Sequence, residues 1–379
     1  MFKRRFTLFQ VAGIKINADV TWLLLAALIV TSLAMSWFPL FAEGLPQMSY
    51  WFMAVVGAAG LFTSILIHEM CHALVGRRYN MQVKEISLFL FGGVAHLENE
   101  PPTPKSEALM ALAGPVASLA LSAIFYGLYR ITSISGSAPL IPALFSYLYS
   151  INIVVAIFNM LPGFPLDGGR VLRALIWQLK GDLLWATKIA STVGQLFGWG
   201  LLILGVFTFF AGGPGDRMSG IWAALIGLLL SGFARASYMQ LVVRKALHGK
   251  KAAVFMNSKP FTVTLETNLS DLFRESLYSN PNDESVIPVL SSNHEVLGCI
   301  DLQKAKKMLE DQKLTTQVID VMRSCSPEMS INPDIDAESA FTRMIRTGNR
   351  LLLVTENRQL LGVLSQSALT RYLSLSGTT

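Results

Sequence analysis

Six apolar stretches limit what this chain can become. They fall at about 18–40, 50–76, 107–130, 139–162, 185–211 and 219–242. Each is long enough for a helix to cross a bilayer, which takes about 20 residues. Only helices and closed barrels satisfy their backbone groups in hydrocarbon, and runs of this length read as helices. The whole chain is 52% hydrophobic and 15% charged, against roughly 25% charged in soluble domains. The shortfall lies in the first two thirds; residues 244–379 read as soluble sequence. The expected fold class is an α-helical polytopic membrane domain followed by a soluble α/β module. One further stretch, Ile86-Ser-Leu-Phe-Leu-Phe-Gly-Gly-Val-Ala-His96, is apolar but too short to span. Gly92-Gly93 would break a helix there, so a re-entrant or interfacial segment is expected.

Loop charges give an orientation. Lys3, Arg4, Arg5 and Lys15 precede the first span. Arg77, Arg78, Lys84 and Lys105 follow the second, Arg170, Arg173 and Lys180 the fourth, and Arg244, Lys245, Lys250 and Lys251 the sixth. The opposite loops hold only Arg130 and Arg217. The positive-inside rule then places both termini and the soluble module in the cytoplasm. The first apolar run is too long for a signal-peptide core and lacks a small-residue cleavage site, so an uncleaved span is expected. The net charge of +6 fits basic cytoplasmic loops. No basic stripe with interleaved aromatics points to nucleic acid. Cys71, Cys299 and Cys325 are scattered, and no disulfide framework follows from them.

The soluble part contains a repeat. Ser285-Val-Ile-Pro-Val-Leu-Ser followed by Val296-Leu-Gly-Cys-Ile-Asp301 is echoed by Arg350-Leu-Leu-Leu-Val-Thr-Glu followed by Leu360-Leu-Gly-Val-Leu-Ser365. Helical stretches from Leu269 to Ser279 and from Ala337 to Thr347 precede the two copies. Two strand–turn–strand units with leading helices resemble a cystathionine-β-synthase (CBS) pair. The expected division is a membrane domain over 1–245 and a tandem CBS domain over 255–375, with repeats at about 255–310 and 319–375.

The chemistry is concentrated in the second span, Ser64-Ile-Leu-Ile-His68-Glu69-Met-Cys-His72-Ala-Leu. His68 and His72 stand at i and i+4, on one helix face, where two imidazoles can bind one Zn²⁺. Glu69 stands beside the first of them, placed to act on water as general base. Two histidines and a glutamate in an apolar run are expensive unless they pair or function, which weighs against a chance HExxH. A third ligand is required, and the candidates are His96, Glu98, Glu100 and Asp167. Asp167 ends the segment Asn159-Met-Leu-Pro162-Gly-Phe-Pro165-Leu-Asp167-Gly168-Gly169-Arg170, whose prolines and glycines can turn a carboxylate inward.

His68-Glu69-x-x-His72 in one span and Asn159-x-x-Pro-x-x-Pro-Leu-Asp167-Gly-Gly after a later one resemble the site-2 protease family, peptidase family M50. The resemblance covers about residues 1–245. It implies one Zn²⁺ per chain on His68, His72 and Asp167, Glu69 as base, and Asn159 helping to hold the substrate carbonyl or its oxyanion. From the residues alone, Asn159 is equally an interhelical hydrogen-bonding group. Gly92-Gly93-Val-Ala matches the family's re-entrant segment, whose edge can pair with an unwound substrate. Ala113-Gly114-Pro115 matches a further family pattern and reads as helix packing. His96 matches no family role and reads as a loop or interface residue.

The activity implied is zinc-dependent hydrolysis of peptide bonds inside transmembrane segments, as in regulated intramembrane proteolysis, modulated by the CBS pair. The partners implied are transmembrane substrates, the lipid bilayer and a second copy through the CBS module. Two rivals stand. A CBS-gated transporter or channel predicts inverted repeats and polar residues along a path, and no repeat is seen among the spans. A scaffold without activity has no need of the HExxH set. The nucleotide signature of CBS repeats is eroded: the first copy reads Gly298-Cys-Ile-Asp301-Leu-Gln-Lys304 and the second Gly362-Val-Leu-Ser365-Gln-Ser-Ala368. Neither ends on the acid that accepts ribose hydroxyls, so adenine nucleotide binding is expected to be weak or absent.

Overall fold

Before its first membrane helix the chain makes a β-hairpin. Strand β1 (Arg5–Val11) pairs antiparallel with β2 (Ile14–Asp19). The two turn residues, Ala12 and Gly13, have φ of 50° and 75°, the positive values that a two-residue hairpin turn requires. The computed structural model describes residues 5–81, 83–89, 92–97, 100–213, 216–279, 286–310 and 317–375. It divides into two compact units, Met1–Tyr238 and Met239–Thr379.

In the first unit, helix α1 (Val20–Ser32) continues through a π-helical turn, Leu33–Trp37, into α2 (Phe38–Phe41). Then come α3 (Gln47–Arg78), β3 (Val83–Phe89), β4 (Gly92–Leu97), α4 (Pro104–Ile134), α5 (Leu140–Asn159), α6 (Asp167–Lys180) and α7 (Leu183–Ala211), and then α8 (Asp216–Leu247), whose last residues, from Met239, belong to the second unit. Six of the described helices are long and apolar enough to cross a membrane. They match the six expected runs, the first now bounded at Trp22–Phe41. Helix α6 is an addition: it carries Asp167, Arg170, Arg173 and Lys180 and is too short and too polar to span.

The short apolar stretch after α3 takes the form of the β3–β4 hairpin. It joins the N-terminal hairpin in one sheet of order β1-β2-β3-β4, with β2 parallel to β3 and the other pairs antiparallel. Strand pairing therefore satisfies backbone that is not helical and does not span. Gly92-Gly93 opens a strand, with Phe89 paired to Gly92 and Leu88 to Gly93. Alternate β2 residues Ile14, Ile16 and Ala18 are buried with Val83, Ile86 and Ala73. The sheet thus rests on α3 one residue beyond His72.

Helices α3, α4 and α5 form the centre of the first unit. Asn152 of α5, fully buried, donates to Ser64 Oγ of α3 at 3.1 Å, one turn before His68. Helices α7 and α8 meet along small residues seven apart: Ser191, Gly198 and Gly205 on one, Gly220, Gly227 and Ala234 on the other. A Cβ on Gly198 would lie 2.6 Å from Gly227 O, and one on Gly220 would lie 2.6 Å from Gly205 O. Ser191 Oγ donates to Ala234 O at 2.5 Å. Small residues let backbones touch where lipid gives no hydrophobic drive between helices.

The second unit contains β5 (Val263–Thr264), α9 (Leu269–Ser279), β6 (Val286–Leu290), β7 (Val296–Asp301), α10 (Leu302–Glu310) and α11 (Val318–Val321). These are followed by β8 (Ser330–Ile331), α12 (Ala337–Thr347), β9 (Leu351–Glu356), β10 (Gln359–Ser365) and α13 (Gln366–Leu375). Its two sheets have one plan. The middle strand, β6 or β9, pairs parallel with the short strand before it and antiparallel with the strand after it. The scattered cysteines gave no disulfide expectation, yet Cys299 and Cys325 are bonded, and Cys71 is free. The pairing is tertiary: strand β7 and the segment before β8 come together although 26 residues separate the two cysteines.

Candidate active site

Three of the expected ligand residues converge. His68 Nε2 and His72 Nε2 lie 3.1 and 3.2 Å from the same oxygen, Oδ2 of Asp167. All three residues are buried, and their ligand-type atoms lie within 4.8 Å of one another.

The rings are held from behind by α4. His72 Nδ1 is 2.6 Å from Met110 O. That carbonyl can only accept, so the proton sits on Nδ1 and the Nε2 lone pair faces forward. His68 Nδ1 is 2.9 Å from Ser118 Oγ. A lone pair and a carboxylate converging in a buried space repel unless a cation or protons lie between them. The two-nitrogen, one-oxygen set is of the kind that binds Zn²⁺ with a position left open. Gly114 of α4 keeps the space clear: a Cβ there would lie 2.5 Å from His68 Nε2 and closer still to His72 Nε2. These residues fit zinc. Gly114 had read as helix packing, and the Ala113-Gly114-Pro115 pattern alone held no sign of its place beside the imidazoles.

Asp167 reaches the histidines because the chain between α5 and α6 folds back on itself. Phe164 N donates to Ala190 O of α7 at 3.1 Å, and Phe164 is buried with Ala190 and Ala234. A Cβ on Gly168 would collide with the carbonyls of Met160 and Leu161, and one on Gly169 with the backbone of Gly163 and Phe164. The Gly-Gly pair therefore lets the loop press on the first turn of α6. Asp167 opens that helix, where the helix dipole favours a carboxylate.

A buried ion pair ties α4 to α6. Arg173 Nε donates to Glu107 Oε1 at 2.6 Å, and Nη2 donates to the same oxygen. Both residues are buried, and the guanidinium stands 5.1 Å over the Phe164 ring. Removing one member of such a pair costs about 3–5 kcal/mol, because the other charge is left buried alone. Glu107 lies one turn before Met110, and Arg173 lies two turns after Asp167. The pair therefore joins the helix that orients His72 to the helix that carries Asp167. Arg173 counted as a loop charge in the sequence; here it is a buried partner.

The other expected residues lie as follows. Glu69 is half-buried on α3 beside His68. Asn159 is the last residue of α5, and its Nδ2 donates to Val155 O of its own helix at 3.0 Å. Glu100 Oε2 is 3.7 Å from Arg173 Nη1. His96 pairs in register with Glu85 through the backbone of β4, and Glu98 lies outside the described residues. A second cluster, His248, Asp336 and Glu338, lies in the second unit. There Arg244 Nε already sits 2.5 Å from Glu338 Oε1, and His248 Nδ1 sits 3.1 Å from Oε2, so the acidic charge is answered within the chain.

Comparison with known proteins identifies the family. The profile of Peptidase family M50 matches residues 56–135 and 130–201, and that of the CBS domain matches residues 318–375. Rip3 of Mycobacterium tuberculosis, named as a zinc metalloprotease, is 32% identical over 368 residues, covering 97% of this chain and 92% of that one. A protein of Synechocystis, also named as a zinc metalloprotease, is 30% identical over 372 residues, covering 96% and 94%. Among solved structures, the site-2 protease from Methanocaldococcus jannaschii overlays with a TM-score of 0.44 at 24% identity, covering 62% of this chain and 95% of that one. A chain whose membrane helices bring HExxH and a distant aspartate together, and which aligns almost end to end with zinc metalloproteases, belongs to peptidase family M50 and is a zinc metalloendopeptidase of the site-2 type.

Proposed function

We propose that His68, His72 and Asp167 hold the zinc, that Glu69 is the general base, and that cleavage falls in the cytoplasmic half of a substrate's membrane helix. The observation that carries this reading is the convergence of two Nε2 atoms and one carboxylate oxygen between membrane-spanning α3 and the start of α6. A zinc held by these three residues would supply Lewis acidity for the scissile carbonyl and a water that is nucleophilic near neutral pH. Glu69 accepts the proton from the attacking water and returns it to the leaving amine. Met110 and Ser118 hold the imidazoles while this happens. Asn159, at the end of α5, is the proposed donor to the substrate carbonyl; its present bond to Val155 O must be exchanged for that contact.

A helical substrate hides its carbonyls in its own hydrogen bonds and must unwind first. Strand β4 is an edge of the four-stranded sheet, and an unwound segment can pair with such an edge. The depth follows from α3: His68 lies nine residues before Arg77, roughly 14 Å at 1.5 Å per residue. With Arg77 and Arg78 on the cytoplasmic side, both termini and the second unit are cytoplasmic and the product is released inward. Mapping the new termini of a cleaved membrane substrate by mass spectrometry tests this. Termini in the cytoplasmic half are expected; termini in the outer half contradict it.

Residues 255–375 are proposed to act as a tandem CBS module that gates or dimerises the protease, supported by the shared plan of the two sheets. Both hydroxyl-type positions of its nucleotide signature serve as helix caps. Asp301 Oδ1 accepts from Gln303 N at 3.0 Å, and Ser365 Oγ accepts from Ala368 N at 3.2 Å. A missing charge-assisted hydrogen bond costs about 1.5–3 kcal/mol, roughly ten- to a hundredfold in affinity. Calorimetric titration of the full-length protein with ATP and AMP is expected to show weak or no binding; low-micromolar affinity for either would contradict this.

A further inference from the structure

The sulfur pair of the second unit has no part in the proteolytic chemistry. Cys299 on β7 is bonded to Cys325, with Cα atoms 5.6 Å apart. Two backbone hydrogen bonds hold the same place: Cys299 N to Arg323 O at 2.9 Å and Arg323 N to Cys299 O at 3.0 Å. Gly298 permits this approach, since a Cβ on it would lie 2.7 Å from Arg323 O. The segment carrying Cys325 is thus held against β7 by backbone hydrogen bonds as well as by the sulfur bond.

The surroundings say what the bond joins. Cys299 and Cys325 lie in an apolar cluster with Leu351, Leu353 and Val363 of strands β9 and β10. The two hairpins meet here through the backbone as well, with Val296 N donating to Arg358 O at 3.2 Å. The bond therefore sits where the two repeats abut, on the segment that leads from one to the other. Cys299 is 8% exposed, whereas Cys325 is more open to solvent.

A reducing cytoplasm keeps ordinary thiols reduced, and cytosolic disulfides are mostly transient or redox-sensing. We propose that Cys299 and Cys325 form a reversible thiol–disulfide couple, closed by peroxide and opened by dithiol reductants, that staples the inter-repeat segment to β7 and so gives the protease a redox input. The proposal rests on the cytoplasmic placement of this unit. The Cys325 thiolate attacks one peroxide oxygen, the O–O bond breaks, and Cys325 becomes a sulfenic acid as the first water leaves. The Cys299 thiolate then attacks the Cys325 sulfur and displaces hydroxide, which leaves as the second water. Two thiols and one hydrogen peroxide give one disulfide and two waters; a dithiol reverses this by supplying two electrons and two protons.

The test uses the full-length protein in proteoliposomes with a cleavable membrane substrate. After reduction, both cysteines should alkylate separately; after hydrogen peroxide, non-reducing tryptic mapping should recover the two cysteines in one linked species that dithiothreitol separates. Amide exchange around residues 299 and 323 should slow about tenfold or more in the linked form. The cleavage rate should differ at least about twofold between the two forms, and Cys325→Ser and Cys299→Ala should each abolish that difference. Separate alkylation after peroxide, a linked form that dithiothreitol does not open, or equal rates in both forms overturns the proposal. Persistent peroxide sensitivity in Cys325→Ser would show that the effect does not need the Cys299–Cys325 bond, and also overturns it. Membrane-impermeant maleimide separates out the premise: labelling of Cys325 in intact cells would refute the cytoplasmic placement, whatever the chemistry of the bond.

Discussion

Replacing Glu69 with glutamine is expected to leave about one zinc per chain while cleavage falls by about 10²- to 10⁴-fold, the usual contribution of a positioned general base. The amide keeps the size of the side chain and removes only the basic oxygen. His68, His72 and Asp167, with the Met110 and Ser118 contacts behind the rings, are untouched by the change. His72→Ala is the contrast, since it removes both a donor and the Met110 contact and should lose zinc and cleavage together. Metal analysis of purified protein beside a cleavage assay separates the two variants. A fully active Glu69→Gln enzyme would sink the assignment of this residue as base.

Gly114→Ala is expected to do more damage than its single methyl suggests. The added carbon would stand 2.5 Å from His68 Nε2 and closer to His72 Nε2, inside any van der Waals contact. Helix α4 has to retreat or the imidazoles have to turn. Retreat also pulls Met110 O and Ser118 Oγ off both Nδ1 atoms, because all three residues share that helix. Losing orienting partners alone typically lowers metal affinity 10- to 100-fold, and here the ligand space is filled as well. Zinc should fall below about a tenth of an equivalent and cleavage should be lost, with helical circular dichroism preserved. Gly127→Ala on the same helix is the control, because a Cβ there meets nothing within 4 Å; it should keep full zinc and activity. Near-stoichiometric zinc in Gly114→Ala would contradict the account.

The contrast between His68 and Gly114 marks what could be read from the chain. His68 and His72 were legible because their relation is local: a helix of 3.6 residues per turn puts i and i+4 on one face in any fold. Asp167 was only one of four candidates from the residues, its prolines and glycines announcing a turn, and the family resemblance singled it out. Gly114, Met110 and Ser118 were not, since their roles depend on how α4 leans on α3, which no spacing within α4 encodes. Arg173 misled for the same reason: it counted as a loop charge, and only tertiary packing buries it against Glu107. The N-terminal hairpin was missed for another reason. Its basic start drew attention to topology, while Ala12-Gly13 and the alternation of Ile14, Ile16 and Ala18 carried an ordinary strand signal.

The seam between α7 and α8 has a consequence for how securely Asp167 is carried. Helix α7 presents bare backbone in two directions: Gly198 and Gly205 toward α8, and Gly194 toward the loop before Asp167, where a Cβ would collide with Phe164 O. Where side chains interdigitate, a substitution can be absorbed by a neighbour choosing another rotamer. Main chain against main chain offers no such slack. The perch of this carboxylate therefore behaves like a keyed joint, either seated or disengaged, so damage deep in a lipid-facing helix pair reaches the hydrolytic centre without touching one of its side chains.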